Sequence, residues 1–369
     1  MIKTMKFRSL FLGVLAALMI LAGFTSCSDD DDDDVINERY FNGEKLENYA
    51  FILNEGADSK NNASLAAVNW MNYQTISSDI YVAQNKQALG DVAQDMIADG
   101  KGNVYVVVFG SAYVAKLNAE GVEQTRADFT TGNLKQFGQP RYAVLEDGML
   151  YITTYGAYVV VLNANDLAFV KAYQVGKNPE HIVESEDKIY NTNSGWGEDN
   201  TVTCYNTKTG KVEKTYTVMS NPDGILEVKD RIFVQGYGAG WDYPWGEINL
   251  STGEFKQIGN ASSWAEDDDV IYTINSVTDW DTYTTVNYFA AYDVKKSKLT
   301  EGNYLVNMPE ELNSASVFSM QFNPRNGFLY IATSDFKNDG TIYVFDNNKE
   351  FVTKFSSMGI NPKKFVFFK

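Results

Sequence analysis

Met149-Leu150-Tyr151-Ile152-Thr153-Thr154, then Tyr155-Gly156, then Ala157-Tyr158-Val159-Val160-Val161-Leu162-Asn163 sets two apolar, β-branched runs on either side of a tight glycine turn. Residues of this kind, flanked by turn formers, predict a pair of antiparallel strands. Upstream, Pro140 to Leu145 leads through Glu146-Asp147-Gly148 into the first run; downstream, Asn163-Ala164-Asn165-Asp166 leads into Leu167 to Val175. The unit is therefore four short strands, A to D, joined by turns. It recurs along the chain. The aromatic residue in strand B reads Phe51, Tyr105, Tyr151, Tyr190, Phe233, Tyr272 and Tyr330, and the residue closing strand C reads Asn69, Asn118, Asn163, Asn206, Asn249, Asp293 and Asp346. Gly56, Gly110, Gly156, Gly195 and Gly238 each follow an aromatic anchor by five positions. A period of 39 to 58 residues is too long for leucine-rich repeats and its composition is wrong for helical solenoids, which predicts an all-β, seven-bladed β-propeller.

The repeats begin at strand B, because Tyr49 to Asn54 has no inner strand before it. The missing strand lies at the other terminus: Asn361-Pro362-Lys363-Lys364-Phe365-Val366-Phe367-Phe368 matches the strand A openings Asn178-Pro179 and Asn221-Pro222. The C-terminal strand is therefore expected to complete the first blade and close the ring. Antiparallel order places the B–C loops and D-to-A connections on one face and the A–B and C–D turns on the other. From anchor to Asn/Asp the spacing runs from 12 residues in the third blade to 21 in the sixth, whereas the C–D turns stay short. The elaborated face is where function is expected.

With 369 residues, 44% of them hydrophobic, the chain can bury a large core, and a repeat architecture lets it form one domain. Removing three basic residues and six aspartates of the amino terminus from the formal charge of −17 leaves −14. Such a surface repels phosphate backbones and argues against nucleic acid as a partner. Two cysteines, Cys27 and Cys204, and a single histidine, His181, supply no Cys/His metal cluster and no ordinary catalytic triad. Cys204 reads as a buried thiol, and His181, on an inner strand, as a structural, hydrogen-bonded histidine.

Lys3, Lys6 and Arg8 precede the apolar stretch Leu10 to Phe24, which reads as a signal peptide over residues 1–26. Phe24-Thr25-Ser26-Cys27 resembles a bacterial lipobox, with Phe24 in place of the usual leucine, and this resemblance makes Cys27 the lipidation site. Asp29, Asp30, Asp31, Asp32, Asp33 and Asp34 then look like an acidic surface-export signal, a reading favoured over a plain solvated linker by their position just after the lipobox cysteine. Residues 27–48 form the lipidated tag and tether, without a clear repeat element, and residues 49–369 form the propeller. The expected location is the cell surface, anchored by lipid in the outer membrane.

The B–C loops carry four of the six tryptophans: Trp196 in the fourth blade, Trp241 and Trp245 in the fifth, and Trp280 in the sixth. Tyr237, Tyr243 and Tyr283 accompany them, and shorter loops add Phe109, Tyr155 and Phe336. Such residues either pack on one another as a cap or form a ligand surface. With flanking carboxylates and amides they suit sugars or flat macrocycles such as corrinoids and porphyrins. The loop carboxylates Glu55, Asp58, Glu198, Asp199, Asp242, Asp279, Asp281 and Asp335 leave a glycosidase pair open, and Asp267-Asp268-Asp269 and Asp279-Trp280-Asp281 lack a full calcium-loop pattern. No catalytic residue, metal ligand or resident cofactor is assigned.

Phe51-Ile52-Leu53-Asn54-Glu55-Gly56, Asn61-Asn62-Ala63-Ser64-Leu65 and Leu89-Gly90-Asp91-Val92-Ala93-Gln94-Asp95-Met96 resemble the opening blade of the YncE-like lipoprotein propellers of Bacteroidetes, whose BtuG-type branch captures cobalamin. The resemblance implies a surface lipoprotein, not an enzyme, that binds a nutrient, with a corrinoid (vitamin B12) as first choice. It also implies delivery to a TonB-dependent outer-membrane transporter. A glycan-binding or glycan-processing propeller and a protein-docking module of the cell envelope remain open.

Overall fold

The computed structural model describes residues 38–279, 281–282 and 284–369. Seven four-stranded antiparallel sheets follow in chain order, each with strand A innermost. The first blade takes its inner strand, Pro362–Phe367, from the carboxy terminus and its other strands, Tyr49–Asn54, Ser64–Asn69 and Thr75–Ser77, from the opening of the repeats. Phe51 pairs with Val366 and Ile52 with Phe365, so the ring is closed as the sequence predicts. In the third blade the strands are Pro140–Glu146, Met149–Thr154, Tyr158–Asn163 and Phe169–Gln174, within two residues of the expected bounds.

The repeated Asn/Asp has one job in all seven blades. Its side-chain oxygen accepts backbone amides of the C–D turn: Met71 on Asn69 at 2.9 Å, Val122 on Asn118 at 2.9 Å and Asn165 on Asn163 at 2.8 Å. Thr209 on Asn206 at 2.8 Å, Thr252 on Asn249 at 3.0 Å, Lys296 on Asp293 at 2.9 Å and Asn348 on Asp346 at 2.8 Å complete the set. This is an Asx turn, in which the side chain replaces a backbone acceptor and fixes the reversal, helped in three blades by a glycine at positive φ, Gly121, Gly210 or Gly253. Most of the strand B anchors are buried between blades, and Tyr105 also donates to the Ala164 carbonyl of the next blade at 2.7 Å. The glycine five positions on is required by crowding. A Cβ on Gly110 would lie 2.6 Å from the Asp91 carbonyl, and one on Gly156 would overlap that of Phe137, because B–C loop and D-to-A connection run in contact.

Inner strands are stapled to their neighbours by side chains. Asp95 accepts the Ala143 amide at 3.0 Å, the Thr153 hydroxyl donates to the Glu180 carbonyl at 2.7 Å, that of Thr192 to Asp223 at 2.6 Å, and that of Ser319 to Pro362 at 2.7 Å. Cys204 is free and buried, and burial pushes its thiol up.

Two elements escape the sequence reading. The helix Ile80–Asn85, capped by Asp79, lies between the first and second blades. The tether does form structure at its end: Tyr40–Phe41 pairs with Glu44–Lys45, and Phe41 and Leu46 join the hydrophobic core of the first two blades. The compact unit accordingly runs from Glu38 to Lys369. The hairpin sits on the turn face, since Tyr40 bonds Glu120 and the Glu47 carbonyl accepts from Asn69, both residues of C–D turns. Among the described residues no helix is long and apolar enough to cross a membrane. Cys27 and Asp29 to Asp34 lie outside the described residues, as do Trp280 and Tyr283.

Candidate functional site

The first loop residue after strand B donates its amide to the connection ahead of strand A in blade after blade: Phe109 to Val92 at 2.9 Å, Tyr155 to Gln139 at 3.0 Å, Ser194 to Asn178 at 3.1 Å and Tyr237 to Asn221 at 3.0 Å. This repeated bond turns the loop side chains toward the residue that follows the strand A opening. In four blades that opening is a proline followed by a charge: Pro140-Arg141, Pro179-Glu180, Pro222-Asp223 and Pro362-Lys363. The inner strands carry these four charges toward the ring axis, where they meet the loop aromatics.

Arg141 bonds Glu180 at 2.7 Å and donates to the Gln94 side-chain Oε1 at 2.6 Å, and the Gln94 Nε2 in turn donates to the Tyr142 hydroxyl at 2.7 Å. Glu180 also accepts the Tyr155 hydroxyl at 2.8 Å and that of Ser194 at 3.1 Å. The guanidinium lies 4.8 Å from the Phe109 ring and 5.0 Å from that of Tyr155. Beside this pair, Lys363 is 3.5 Å from Glu55, and His181 is 3.6 Å from the Asp223 carboxylate and 3.1 Å from its carbonyl. Burial lowers the Lys363 ammonium, but Glu55 and Asp223 outweigh it and hold it above its ordinary value. Burial likewise pushes Asp223 up, but His181, Lys363 and Arg141 bring its carboxyl below the usual range. The charge of Asp223, and then burial, raise the Tyr237 phenol. These groups form a paired ionic plug whose cations already have partners.

Around the plug stands an aromatic rim. Phe109 meets Tyr155 edge-on at 5.1 Å, Tyr155 meets Trp196 at 5.6 Å, and the Trp196 indole donates to the Tyr155 hydroxyl at 3.3 Å. In the fifth blade Tyr237 lies 5.3 Å from Trp241 and 5.7 Å from Tyr243, and in the seventh Phe318 lies 6.0 Å from Phe336. Phe109, Tyr155, Tyr237 and Tyr243 are half-buried, whereas Trp196, Trp241 and Phe336 are 71%, 67% and 57% exposed.

One expected site residue is corrected. Trp245 is not a loop residue: it lies in strand C of the fifth blade, Pro244–Ile248, buried at 1% exposure among Phe233, Trp264 and Tyr292. Gly246 beside it, where a Cβ would overlap the Lys256 carbonyl, continues the strand that the Gly/Asp/Pro spacing had hidden. Most of the loop carboxylates hold their own loops. Asp199 accepts the amides of Lys177 and Asn200, Asp335 those of Lys337 and Asn338, and Asp279 that of Asp281, while Glu198 pairs with Lys177. Asp267 and Asp269 face Lys349 and Lys295. His181 stacks on Tyr142 with ring centroids 3.5 Å apart and bonds the Asp223 carbonyl. Sequence reasoning missed Arg141, Glu180, Asp223 and Lys363, although the charge after each strand A proline is a periodic signal that points to them.

Below the plug a cavity of about 1080 Å³ runs down the axis, lined by Tyr142, His181, Asp223, Trp264, Phe318 and Lys363 toward the loop face. Its lining continues to Lys229, Asp230, Asp268 and Asn323 at the A–B turns, and Arg141, Glu180, Tyr155 and Tyr237 do not contribute to it. The axial cavity thus reaches the face opposite the aromatic rim. At the loop end Arg141 and Glu180 are almost wholly covered, at 14% and 5% exposure.

No family model matches the chain and no curated protein matches it. Among solved structures it is similar to Kuenenia stuttgartiensis hydrazine synthase, at 14% identity and a TM-score of 0.57 over 70% of this chain and 77% of that one. It is similar also to the computationally designed Ika8 protein, at 10% identity and a TM-score of 0.54 over 85% and 89% of the two chains. The WD40 domain of Neurospora crassa Pan2 matches at 12% identity and a TM-score of 0.51 over 70% and 78%. An enzyme, a designed protein and a WD40 domain share little but architecture, so the likeness establishes the propeller fold and leaves function to the site.

Proposed function

We propose that this chain is a surface lipoprotein, of the YncE-like kind and close to the BtuG-type branch, that captures a flat nutrient ligand on the B–C loop face. A corrinoid is the first choice, and a TonB-dependent transporter of the outer membrane the recipient. The observation that carries the reading is the rim itself: Trp196, Trp241 and Phe336 stand more than half exposed around a charge-paired floor. Large aromatics held out of the core by rigid loops are the usual anchors of a binding surface. A few of them, each burying up to about 200 Å² at about 25 cal/mol per Å², supply several kcal/mol before losses.

The charge pattern narrows the ligand. Arg141 is engaged by Glu180, and Lys363 is drawn to Glu55 and Asp223, so the floor has no spare cation for a carboxylate. That favours a ligand rimmed by neutral amides or hydroxyls, such as a corrinoid or a sugar, over a porphyrin with free carboxylates. The hairpin Tyr40–Lys45 packs on the turn face, which leaves the loop face with its aromatic rim uncovered by it. A glycan is the second reading, favoured by the same exposed rings.

Native mass spectrometry of the purified ectodomain with cobalamin, haem and a panel of neutral glycans tests the reading. A one-to-one cobalamin adduct is expected; adducts with glycans alone would move the function to the second reading, and haem binding in preference to both would contradict the charge argument.

A further inference from the structure

The sixth blade departs from the other six. Its strands B and C, Val270–Asp279 and Thr284–Asp293, are ten residues each and pair along their full length, while its outer strand, Lys298–Glu301, has four residues and covers only Ala290 to Asp293. Gly302, at a φ of 127°, donates to the Phe289 carbonyl and turns the chain away from the sheet. Strand C is thereby left without a paired strand from Thr284 to Tyr288, where only the side-chain face is met by the short 3-10 helix Glu310–Asn313. By the alternation of an antiparallel strand, the amides and carbonyls of Thr285 and Asn287 face the same open side as the Phe289 carbonyl. The first blade has a similar shortfall, its outer strand pairing only with Ala67 and Val68, but there the helix Ile80–Asn85 packs into the core beside strand C.

The overhanging ladder has two faces. On one, Asn287 is buried and donates to the carbonyls of Leu312 and Ala315, which fixes the hairpin to the following connection. On the other, Val277 and Val286 form a cross-strand pair beside Tyr288, and the three are 47%, 49% and 60% exposed. An open edge next to an apolar ledge accepts an added strand: the backbone supplies the ladder and the ledge receives alternate side chains. Asp279, Asp281 and Glu301 stand at the two ends of the overhang and are exposed. A second copy of a chain with net charge −17 would bring carboxylates against carboxylates.

We propose that the open edge of Thr284 to Tyr288 is a docking site for an extended, basic segment of a partner protein, which adds there as an outer strand. The site is separate from the aromatic rim floor and does not depend on the identity of the ligand bound there.

The probe is a synthetic ten-residue peptide alternating lysine with valine and threonine, compared with its aspartate counterpart and with a version N-methylated at alternate residues. Amide hydrogen exchange and titration are read on the ectodomain and on Thr285→Pro, a substitution that an edge strand tolerates but that removes an outward donor. The lysine peptide should slow exchange at Thr285 and Asn287. Thr285→Pro, with its melting temperature retained, should weaken binding by roughly tenfold or more, as expected for loss of one or two ladder bonds. Equal binding of the aspartate or N-methylated peptides, no protection by the lysine peptide, or protection that rises with protein concentration alone would each overturn the proposal, the last by making a second copy the occupant.

Discussion

Arg141 shows how a single side chain decides the character of the proposed site. It and Glu180 are only 14% and 5% exposed, so each charge depends on the other for its solvation. Arg141→Met leaves Glu180 buried without its counter-charge and should destabilise the fold by about 3–5 kcal/mol, whereas pairing it with Glu180→Gln should recover a large part of that loss. Urea denaturation of the single and double variants measures both. Asp223 makes a pH argument of definite sign. Its carboxyl titrates below its ordinary value in the folded protein, so its contribution is present above about pH 4 and is lost as the pH falls through the folded value. Asp223→Asn should therefore flatten the acid side of the stability curve, with little change in slope between pH 6 and 8. An unaltered acid limb would show that His181, Lys363 and Arg141 do not act on it as described.

At the scale of elements, the aromatic anchor, the glycine five residues on and the closing Asn/Asp were legible because each meets a local demand: core filling, close loop contact and an Asx turn. Trp245 was misplaced for an equally local reason. The run from Gly236 to Pro244 reads as continuous loop, and only pairing with Gln235 and Gly259 shows that the strand has resumed by Trp245. The four axial charges were not legible as a group, because successive members, 39 to 140 positions apart, converge only when the ring closes. Two neighbouring tryptophans should accordingly respond in opposite ways. Trp245→Ala removes a fully buried ring and should cost about 3–5 kcal/mol, while Trp241→Ala, at 67% exposure, should leave the melting temperature nearly unchanged. Thermal melts of the two proteins distinguish core from rim directly.

The whole molecule depends on its last strand. Pro362–Phe367 pairs with Tyr49–Asn54, Gln321 bonds the Phe365 backbone from the seventh blade at 2.9 Å, and the Trp70 indole donates to the Phe368 carbonyl at 2.7 Å. Deleting residues 361–369 exposes the inner edge of Tyr49–Asn54 and removes aromatic rings from two cores, so the truncated protein should unfold or aggregate; a melting temperature close to that of the intact chain would contradict the closure. The ring also separates two ends with different chemistry, a turn face on which the hairpin Tyr40–Lys45 packs and toward which the axial cavity extends, and a loop face with a paired ionic floor and an exposed aromatic rim. The central claim is that the second of these binds ligand. Titration of cobalamin into wild type and into Trp196→Ala/Trp241→Ala, with melting curves of both, tests it most directly. The account predicts at least roughly a hundredfold loss of affinity with the melting temperature retained, since two anchors of about 2 kcal/mol or more are removed from a surface rather than a core. Unchanged affinity in a stably folded double variant would contradict it.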